Sequence, residues 1–177
     1  MVQPGQYIVY GSCGICKVTN VGTIKVSLAD PDRLYYTLQP VYGSETIYTP
    51  VDSSVFMRPA ITREQAEELI AQIPFIREDV CLHRNMNQLR EHYESSFQSH
   101  ECEDLVQLIK SVYAKNKSAA LQGKKVGQMD QQYMRRAEDL LYGELSVALD
   151  IPREDVVAYI ESIVKAIEAK ASITAST

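Results

Sequence analysis

Two cysteines near the N-terminus have a spacing that can carry chemistry. Cys13 and Cys16 form a Cys-x-x-Cys pair inside the stretch VYGSCGICKV. Such a pair supplies half of a zinc site in some proteins and a thioredoxin-type redox couple in others. A four-ligand zinc site would need two more ligands. Cys81 and His83 could supply them only if the helical half of the chain were bound to the same ion as Cys13 and Cys16.

The residues around the pair favour a structural role. A redox pair normally opens a helix, whose N-terminus lowers the pKa of the thiol. Here Gly14 lies between the cysteines, where a turn enters a strand, so the side chains at 13 and 16 should face opposite sides of that strand. We therefore predict structural cysteines, no metal and no cofactor. A zinc-stapled binding module and a redox couple are the alternatives.

Neither the histidines nor any short motif indicates an enzyme. At roughly 100° per residue, His83 and His92 would lie on opposite sides of one helix, and His100 is a further eight residues on. The sequence contains no Ser-His-Asp order, HExxH, P-loop or GxGxxG. The prediction is a protein without catalytic activity.

Basic residues are concentrated in one segment of an acidic chain. The net charge of the 177 residues is −5, yet residues 105–137 hold seven basic residues and one acidic residue, a local charge of +6. Such polarity suits a protein that contacts phosphate with one face, and a solvated helical surface is the alternative. The predicted phosphate contacts in this segment are Lys124, Lys125, Arg135 and Arg136.

Composition is that of an ordinary globular protein, with 45% hydrophobic and 23% charged residues. No run approaches the roughly 18 apolar residues of a membrane span, and the N-terminus lacks a signal-peptide pattern. We expect a cytoplasmic location and no membrane partner. Four cysteines in such a location are expected to be thiols rather than disulfides.

The elements that carry these residues fall into two halves. Short runs rich in β-branched and aromatic residues predict five strands in a small antiparallel barrel, namely QYIVYG, CKVTNV, TIKVSL, RLYYTLQ and ETIYTP. From the capping box TREQ at Thr62 onward, apolar residues recur with helical spacing, and Pro74 ends or bends the first helix. Later helices are predicted from the apolar faces Leu89, Tyr93 and Phe97; Leu105, Leu108, Ile109 and Val112; Tyr133, Ala137, Leu140, Leu141, Leu145 and Ala148; and Val156, Val157, Ile160, Ile163, Val164 and Ile167.

Four motifs follow one another in an order typical of one family. PGQYIVYGSCGICKV matches the opening Gly-Asp-x-Val-Val-Tyr-Pro-x-His-Gly-Val-Gly-x-Val at Gly5, Val9, Tyr10, Gly14 and Val18, with Cys13 at the histidine and Cys16 at the second glycine of His-Gly-Val-Gly. YYTLQPVYGSETIYTPVD, MRPAIT and MRRAEDLLYGELSVAL match later motifs. Over roughly residues 2–165, the chain therefore resembles the CarD/CdnL family of bacterial transcription regulators, whose N-terminal module also occurs in transcription-repair coupling factor.

The resemblance implies an α+β protein, a Tudor-like antiparallel β barrel followed by an all-α helical bundle. Residues 1–60 would form the polymerase-binding β domain, 61–80 a linking helix and connector, and 81–170 a helical DNA-contacting domain, with a frayed tail at 171–177. The β domain would bind the RNA polymerase β subunit through an edge strand that carries Thr46, Ile47 and Tyr48. The helical domain would contact the minor groove and phosphates of promoter DNA beside the melted region and stabilise the open complex.

One departure from the family bears on the DNA contact. Family members wedge a tryptophan into the minor groove at the bubble edge, and this chain has no tryptophan. Counting back from Phe97 puts Met86 there, and methionine can also wedge at a base step. Arg84 and Arg90 flank it at a predicted helix N-terminus, which favours phosphate. The alternative for this residue is a core methionine. The alternative for the protein is an adaptor that uses its β module to bind polymerase or another protein and does not insert into DNA.

Overall fold

A computed structural model describes residues 1–27 and 29–175 of the chain. It contains two compact units, which we call the sheet unit (Met1–Ile61) and the helical unit (Thr62 onward). The sheet unit holds all the strands and the helical unit holds the five α-helices among the described residues. The predicted α+β class is therefore confirmed.

The sheet unit is built from five antiparallel strands. These are β1 (Tyr7–Tyr10), β2 (Gly14–Gly22), β3 (Tyr35–Pro40), β4 (Ile47–Pro50) and β5 (Met57–Pro59), in the spatial order β4-β3-β2-β1-β5. Because side chains alternate between the faces of a strand, one face collects the apolar positions. The pairs Ile8–Cys16 and Val18–Leu38 face each other across neighbouring strands, and with Tyr36 they form the buried core.

The edges of the sheet differ from the prediction. Within the described residues β4 and β5 do not pair with each other, so the sheet is open and the predicted closed barrel is not confirmed. The predicted strand TIKVSL is wrong for residues 23–27, which follow β2 as irregular chain, while residue 28 lies outside the described residues. Strand preference reflects a fit to a half-buried surface, and Val26 is exposed without such a surface. The sequence missed β5, which pairs with β1.

The helical unit consists of five helices, and its first helix begins where the sequence predicts. They are α1 (Arg63–Gln72), α2 (Met86–Gln98), α3 (Cys102–Leu121), α4 (Gln128–Leu149) and α5 (Arg153–Ala175). The capping box is confirmed, because Thr62 Oγ1 accepts a bond from the backbone N–H of Gln65 and the Gln65 side chain accepts one from the backbone N–H of Thr62. Pro74 lies in the 3₁₀ turn Ile73–Phe75, directly after α1.

The buried faces of α2, α3 and α4 form the core of this unit. The predicted residues that are fully buried are Leu89, Tyr93, Phe97, Leu105, Leu108, Val112, Ala137, Leu141 and Leu145. On α5 only Val156 is fully buried among the described residues, and the rest of its predicted face is partly or largely exposed. The predicted frayed tail is wrong for residues 171–175, which continue α5 because no glycine or proline interrupts them, and residues 176–177 lie outside the described residues.

Candidate functional site

The predicted polymerase-binding strand lies at an edge of the sheet. β4 pairs only with β3 among the described residues, so its other side presents backbone N–H and C=O groups to solvent. Tyr48, opposite Thr37 of β3, has an exposed side chain, 46% accessible. Ile47 points the other way and packs against the core, and Thr46 is exposed one residue before the strand. Of the three predicted contacts, Tyr48 and Thr46 are therefore accessible side chains, whereas Ile47 holds the strand in place.

The Cys-x-x-Cys pair is divided between a turn and a strand. Cys13 ends the 3₁₀ turn Gly11–Cys13 and is exposed, so the pair lies where a turn enters β2, as predicted, with Cys16 alone inside the strand. Gly14 follows with φ of 77°, a left-handed conformation that turns the chain into β2. Cys16 is fully buried, and this burial, with a smaller effect from Cys13, raises the pKa of its thiol to about 11. A redox nucleophile needs the opposite shift of its pKa.

Across residues 1–27 and 29–175, no group of three or more His, Cys, Asp or Glu side chains comes together as a metal site. No helix in the described part of the chain is long and apolar enough to cross a membrane.

One end of the helical unit collects most of the predicted DNA-binding residues. Short connections join α2 to α3 and α3 to α4, so successive helices run in opposite directions. The N-termini of α2 and α4 therefore lie at the same end as the C-terminus of α3. Side-chain contacts agree, because Tyr93 bonds to Asp130, whereas Phe97, one turn further along α2, packs against Arg136, which lies further along α4. We call this the basic end, and it carries Arg84, Met86, Lys124 and Lys125.

Met86 is the first residue of α2 and projects outside the bundle. Asn85 caps the helix, with its Oδ1 accepting bonds from the backbone N–H groups of Asn87 at 2.9 Å and Gln88 at 3.4 Å. Met86 is 56% exposed, whereas the buried face of α2 begins at Leu89. Arg84, just before the cap, is exposed as well. The methionine is thus a surface residue at a helix N-terminus, where the helix dipole favours an anion.

Lys124 and Lys125 lie in the loop before α4, on the rim of a cavity of about 560 Å³. The connector residues Val80 and Leu82 form one side of the cavity, and the last turns of α3 form the other. Both lysines are exposed, and neither has a side-chain partner among the described residues. They are therefore available to an anionic ligand.

A buried carboxylate beside this cavity links the three helices α2, α3 and α4. Asp130 is 4% exposed, and its Oδ1 accepts a bond from the hydroxyl of Tyr93 at 2.5 Å and another from Nζ of Lys115 at 2.9 Å. Burial and the bond to Asp130 raise the pKa of the Tyr93 hydroxyl. The Asp130 side chain also folds over Gly127, where an added Cβ would lie 2.6 Å from Oδ2. The network joins α2, α3 and α4 and offsets the charge of Asp130.

Hydrogen bonds from α3 fix the connector that forms one cavity wall. Lys110 Nζ donates to the carbonyls of Ile73 at 2.7 Å and Ile76 at 2.5 Å. The hydroxyl of Ser111 accepts a bond from the backbone N–H of Asp79 at 2.7 Å. Residues 73–79 are therefore tied to α3, which places Val80 and Leu82 beside the last turns of that helix.

The remaining predicted DNA contacts lie on the outer turns of α2 and α4. Arg136 donates to both oxygens of Glu94, at 3.2 and 3.3 Å, and its guanidinium stacks on the Phe97 ring at 4.1 Å. Arg136 therefore holds α4 to α2, and a phosphate would have to compete for it. Arg90 and Arg135 are exposed. The hydrogen bond from Tyr133 lowers the pKa of Glu94 most, and the positive charges of Arg136 and Arg90 lower it further.

Sequence reasoning missed the cavity and the apolar residues that line it. Val80 and Leu82 carry no helical or strand periodicity, and nothing local shows that they come to lie beside residues 114–130. One signal was present for the buried network, because Asp130 is the single acidic residue in the basic segment. A lone carboxylate among lysines suggests a structural ion pair.

Comparisons with known proteins identify the sheet unit. Residues 2–61 match the profile of the CarD-like/TRCF RID domain, a range that coincides with this unit. No curated protein matches the chain. RID domains are non-catalytic interaction modules, and the match indicates a transcription-related role in which this unit interacts with RNA polymerase. The sheet unit is therefore similar to the CarD-like/TRCF RID domain over residues 2–61.

Proposed function

We propose that this protein is a non-catalytic transcription regulator that binds the RNA polymerase β subunit through β4 and contacts promoter DNA through the basic end. The observation that carries the proposal is the family match over residues 2–61, which covers an open sheet edge with an exposed tyrosine. An extended segment of a partner can add to such an edge by backbone hydrogen bonds, and side chains then give specificity.

Tyr48 is the side chain best placed to anchor this contact. It lies on the outer face of the edge strand, and aromatic anchors dominate the energetics of many interfaces. Tyr48→Ala should weaken binding to the polymerase β subunit by roughly 1–2 kcal/mol, about five- to thirtyfold. The loss of stability should be small, because Tyr48 contributes no buried core contact and a cross-strand pair is worth about 0.2–1 kcal/mol.

A titration of purified β subunit against immobilised protein tests this contact. Tyr7→Ala is the matched control, because Tyr7 is also an exposed tyrosine of the sheet but belongs to β1, away from the β4 edge. If Tyr48→Ala unfolds the sheet unit while its folded fraction binds with unchanged affinity, Tyr48 is packing and the anchor assignment is wrong.

The DNA contact rests on the chemistry of the basic end. Arg84, Lys124 and Lys125 are exposed cations at the end where Met86 projects from a capped helix N-terminus. An apolar side chain between cations can wedge at an unstacked base step while the cations contact phosphates. Specificity would then come from the polymerase and from the shape of the melted DNA.

Open-complex lifetime is the measurement that tests the wedge. Met86→Ala should shorten the lifetime of the polymerase–promoter open complex while polymerase affinity and melting temperature stay near wild type, because the residue is exposed. Met86→Trp should lengthen it through the larger stacking surface. The adaptor alternative predicts that neither variant changes the lifetime and that forked promoter DNA shows no salt-sensitive binding. A loss of about 2–5 kcal/mol of stability in Met86→Ala would instead indicate a core residue.

A further inference from the structure

The cavity at the basic end has two chemically different parts. Val80, Leu82 and Val126 line it with apolar surface, and Leu82 is 76% exposed although it is a large apolar residue. Asn116, Ser118 and Gln122 add amide and hydroxyl groups to the α3 side. A pocket of several hundred Å³ with apolar walls and a few polar groups is the usual form of a ligand site.

The charge of the cavity favours an anion. Lys124 and Lys125 lie on its rim, and the one carboxylate among its lining residues is Asp130. That carboxylate bonds to Lys115 at 2.9 Å, so its charge is offset inside the fold. The two rim lysines therefore leave the cavity with a net positive charge toward any ligand.

These properties together select one class of ligand. A free phosphate would leave the apolar walls exposed to water, and a fatty anion would leave the amide of Asn116 without a partner, whereas the Gln122 amide already donates to Ser118 Oγ at 3.4 Å. A nucleotide uses both parts, since its base has two apolar faces and a polar edge, and its phosphate is an anion. Protein pockets that hold an extruded base combine apolar stacking surfaces with hydrogen bonds to the base edge.

We propose that this cavity holds one unpaired nucleotide of a DNA strand. The base lies against Leu82 and Val126, its edge faces the amides of α3, and the flanking phosphates contact Lys124 and Lys125. A base enters such a cavity only when it is unpaired, so duplex DNA reaches the lysines and not the cavity. This inference rests on the proposed DNA contact of the basic end and names the state of the DNA that it holds.

The wall that carries Leu82 is held in place before any ligand arrives. The bonds of Lys110 and Ser111 to residues 73–79 tie the connector to α3. A site whose walls are already placed loses less entropy on binding than one that must fold around its ligand. The cavity is thus suited to capture a base that is exposed only briefly.

The test compares the affinities of the full chain for a labelled oligothymidylate of eight nucleotides and for a blunt 20-bp duplex, by fluorescence anisotropy. Leu82→Ser and Ala119→Phe, which remove a wall and fill the cavity, should each weaken oligothymidylate binding about tenfold and leave duplex binding unchanged. Leu121→Ser is the matched control, because Leu121 is 84% exposed at the same end of α3 but does not line the cavity. Lys124→Ala with Lys125→Ala should weaken binding of both DNAs, with Lys117→Ala as the control for a lysine outside the cavity.

Each result separates this inference from the proposed function. If Leu82→Ser and Ala119→Phe bind oligothymidylate as wild type does while the lysine variants lose affinity for both DNAs, the nucleotide site is overturned and the DNA contact stands. If wild type binds neither DNA at low salt, the DNA contact fails and this inference with it. If thymidine monophosphate alone binds as tightly as the oligonucleotide in an NMR titration, the site serves a free nucleotide and the assignment to a DNA strand is overturned. Melting temperatures near wild type confirm that the Leu82 and Ala119 variants are folded.

Discussion

Replacing Cys16 by serine should destabilise the sheet unit by about 1–3 kcal/mol, whereas Cys13→Ser should change its stability by less than about 0.5 kcal/mol. The Cys16 side chain is 0% exposed and lies in the apolar core beside Ile8, Val18 and Leu38. A hydroxyl placed there loses its hydrogen bonds to water, and the cost of that loss sets the size of the expected destabilisation. A unit of 61 residues has a total stability of about 3–9 kcal/mol, so the fraction lost is large.

The same site predicts a loss of stability at alkaline pH. Burial raises the pKa of the Cys16 thiol from 9.0 to about 11, so the folded sheet unit holds the proton more tightly than the unfolded chain does. This stabilisation is complete below about pH 9 and is lost as the pH rises through 11. At about 1.4 kcal/mol per pKa unit, it amounts to roughly 2–3 kcal/mol. Cys16→Ala has no thiol at this site and should lack that part of the pH dependence.

Urea titrations followed by NMR of methyl groups measure both effects in the full chain. The methyl signals of Ile8, Val18 and Leu38 report the sheet unit alone, and amide exchange at high pH does not affect them. The reasoning is refuted if Cys13→Ser and Cys16→Ser destabilise the unit equally. It is refuted as well if purified protein carries about one zinc ion per chain and either substitution releases it.

The helical unit allows three further predictions, each checked by urea unfolding followed by far-UV circular dichroism or by limited proteolysis. Tyr93→Phe should lower the stability of the helical unit by about 1–3 kcal/mol, because Asp130 loses a 2.5 Å hydrogen bond. Lys115→Met should lower it by about 3–5 kcal/mol, because the buried carboxylate loses its counter-charge. Negligible losses in both variants would show that the network does not stabilise the unit. Gly127→Ala should cost about 1–3 kcal/mol, since the new Cβ meets a carboxylate that two partners hold in place; wild-type stability would mean that Asp130 moves freely. Lys110→Met should expose residues 73–79 to protease, while the unfolding midpoint of the helical unit shifts only slightly. An unchanged cleavage pattern would show that the Lys110 hydrogen bonds do not hold these residues on α3.

Structural features that depend only on residues close together in the sequence could be predicted. The capping box at Thr62 depends on residues three apart, and the buried face of α2 depends on a spacing of four. Such contacts form within one element, so local pattern is enough. The cap that Asn85 forms on α2 is local in the same way, because it bonds to residues two and three positions further on.

Features that depend on distant partners could not be predicted. The sequence suggested that Arg136 is a free cation in a basic segment, but it forms an ion pair with Glu94, which is 42 residues away in the sequence. Residues 23–27 have strand composition yet pair with no strand in the described part of the chain, whereas β5 forms from only three residues because β1 lies beside it. The cavity likewise unites residues 80–82 with residues 114–130, which only the packing of the helices brings together.

The brevity of β4 sets a limit on what its open edge can hold. An added strand bonds to the N–H and C=O of every other residue, so four edge residues offer at most about four backbone hydrogen bonds, and Pro50 has no N–H to give. At about 0.5–1.5 kcal/mol net per bond, the backbone contributes a few kcal/mol, less than the roughly 4–15 kcal/mol that association costs in lost freedom. A random extended peptide, or the same edge of a second copy, therefore gains too little to stay bound. The strand is long enough to align a partner and too short to retain one whose side chains do not fit.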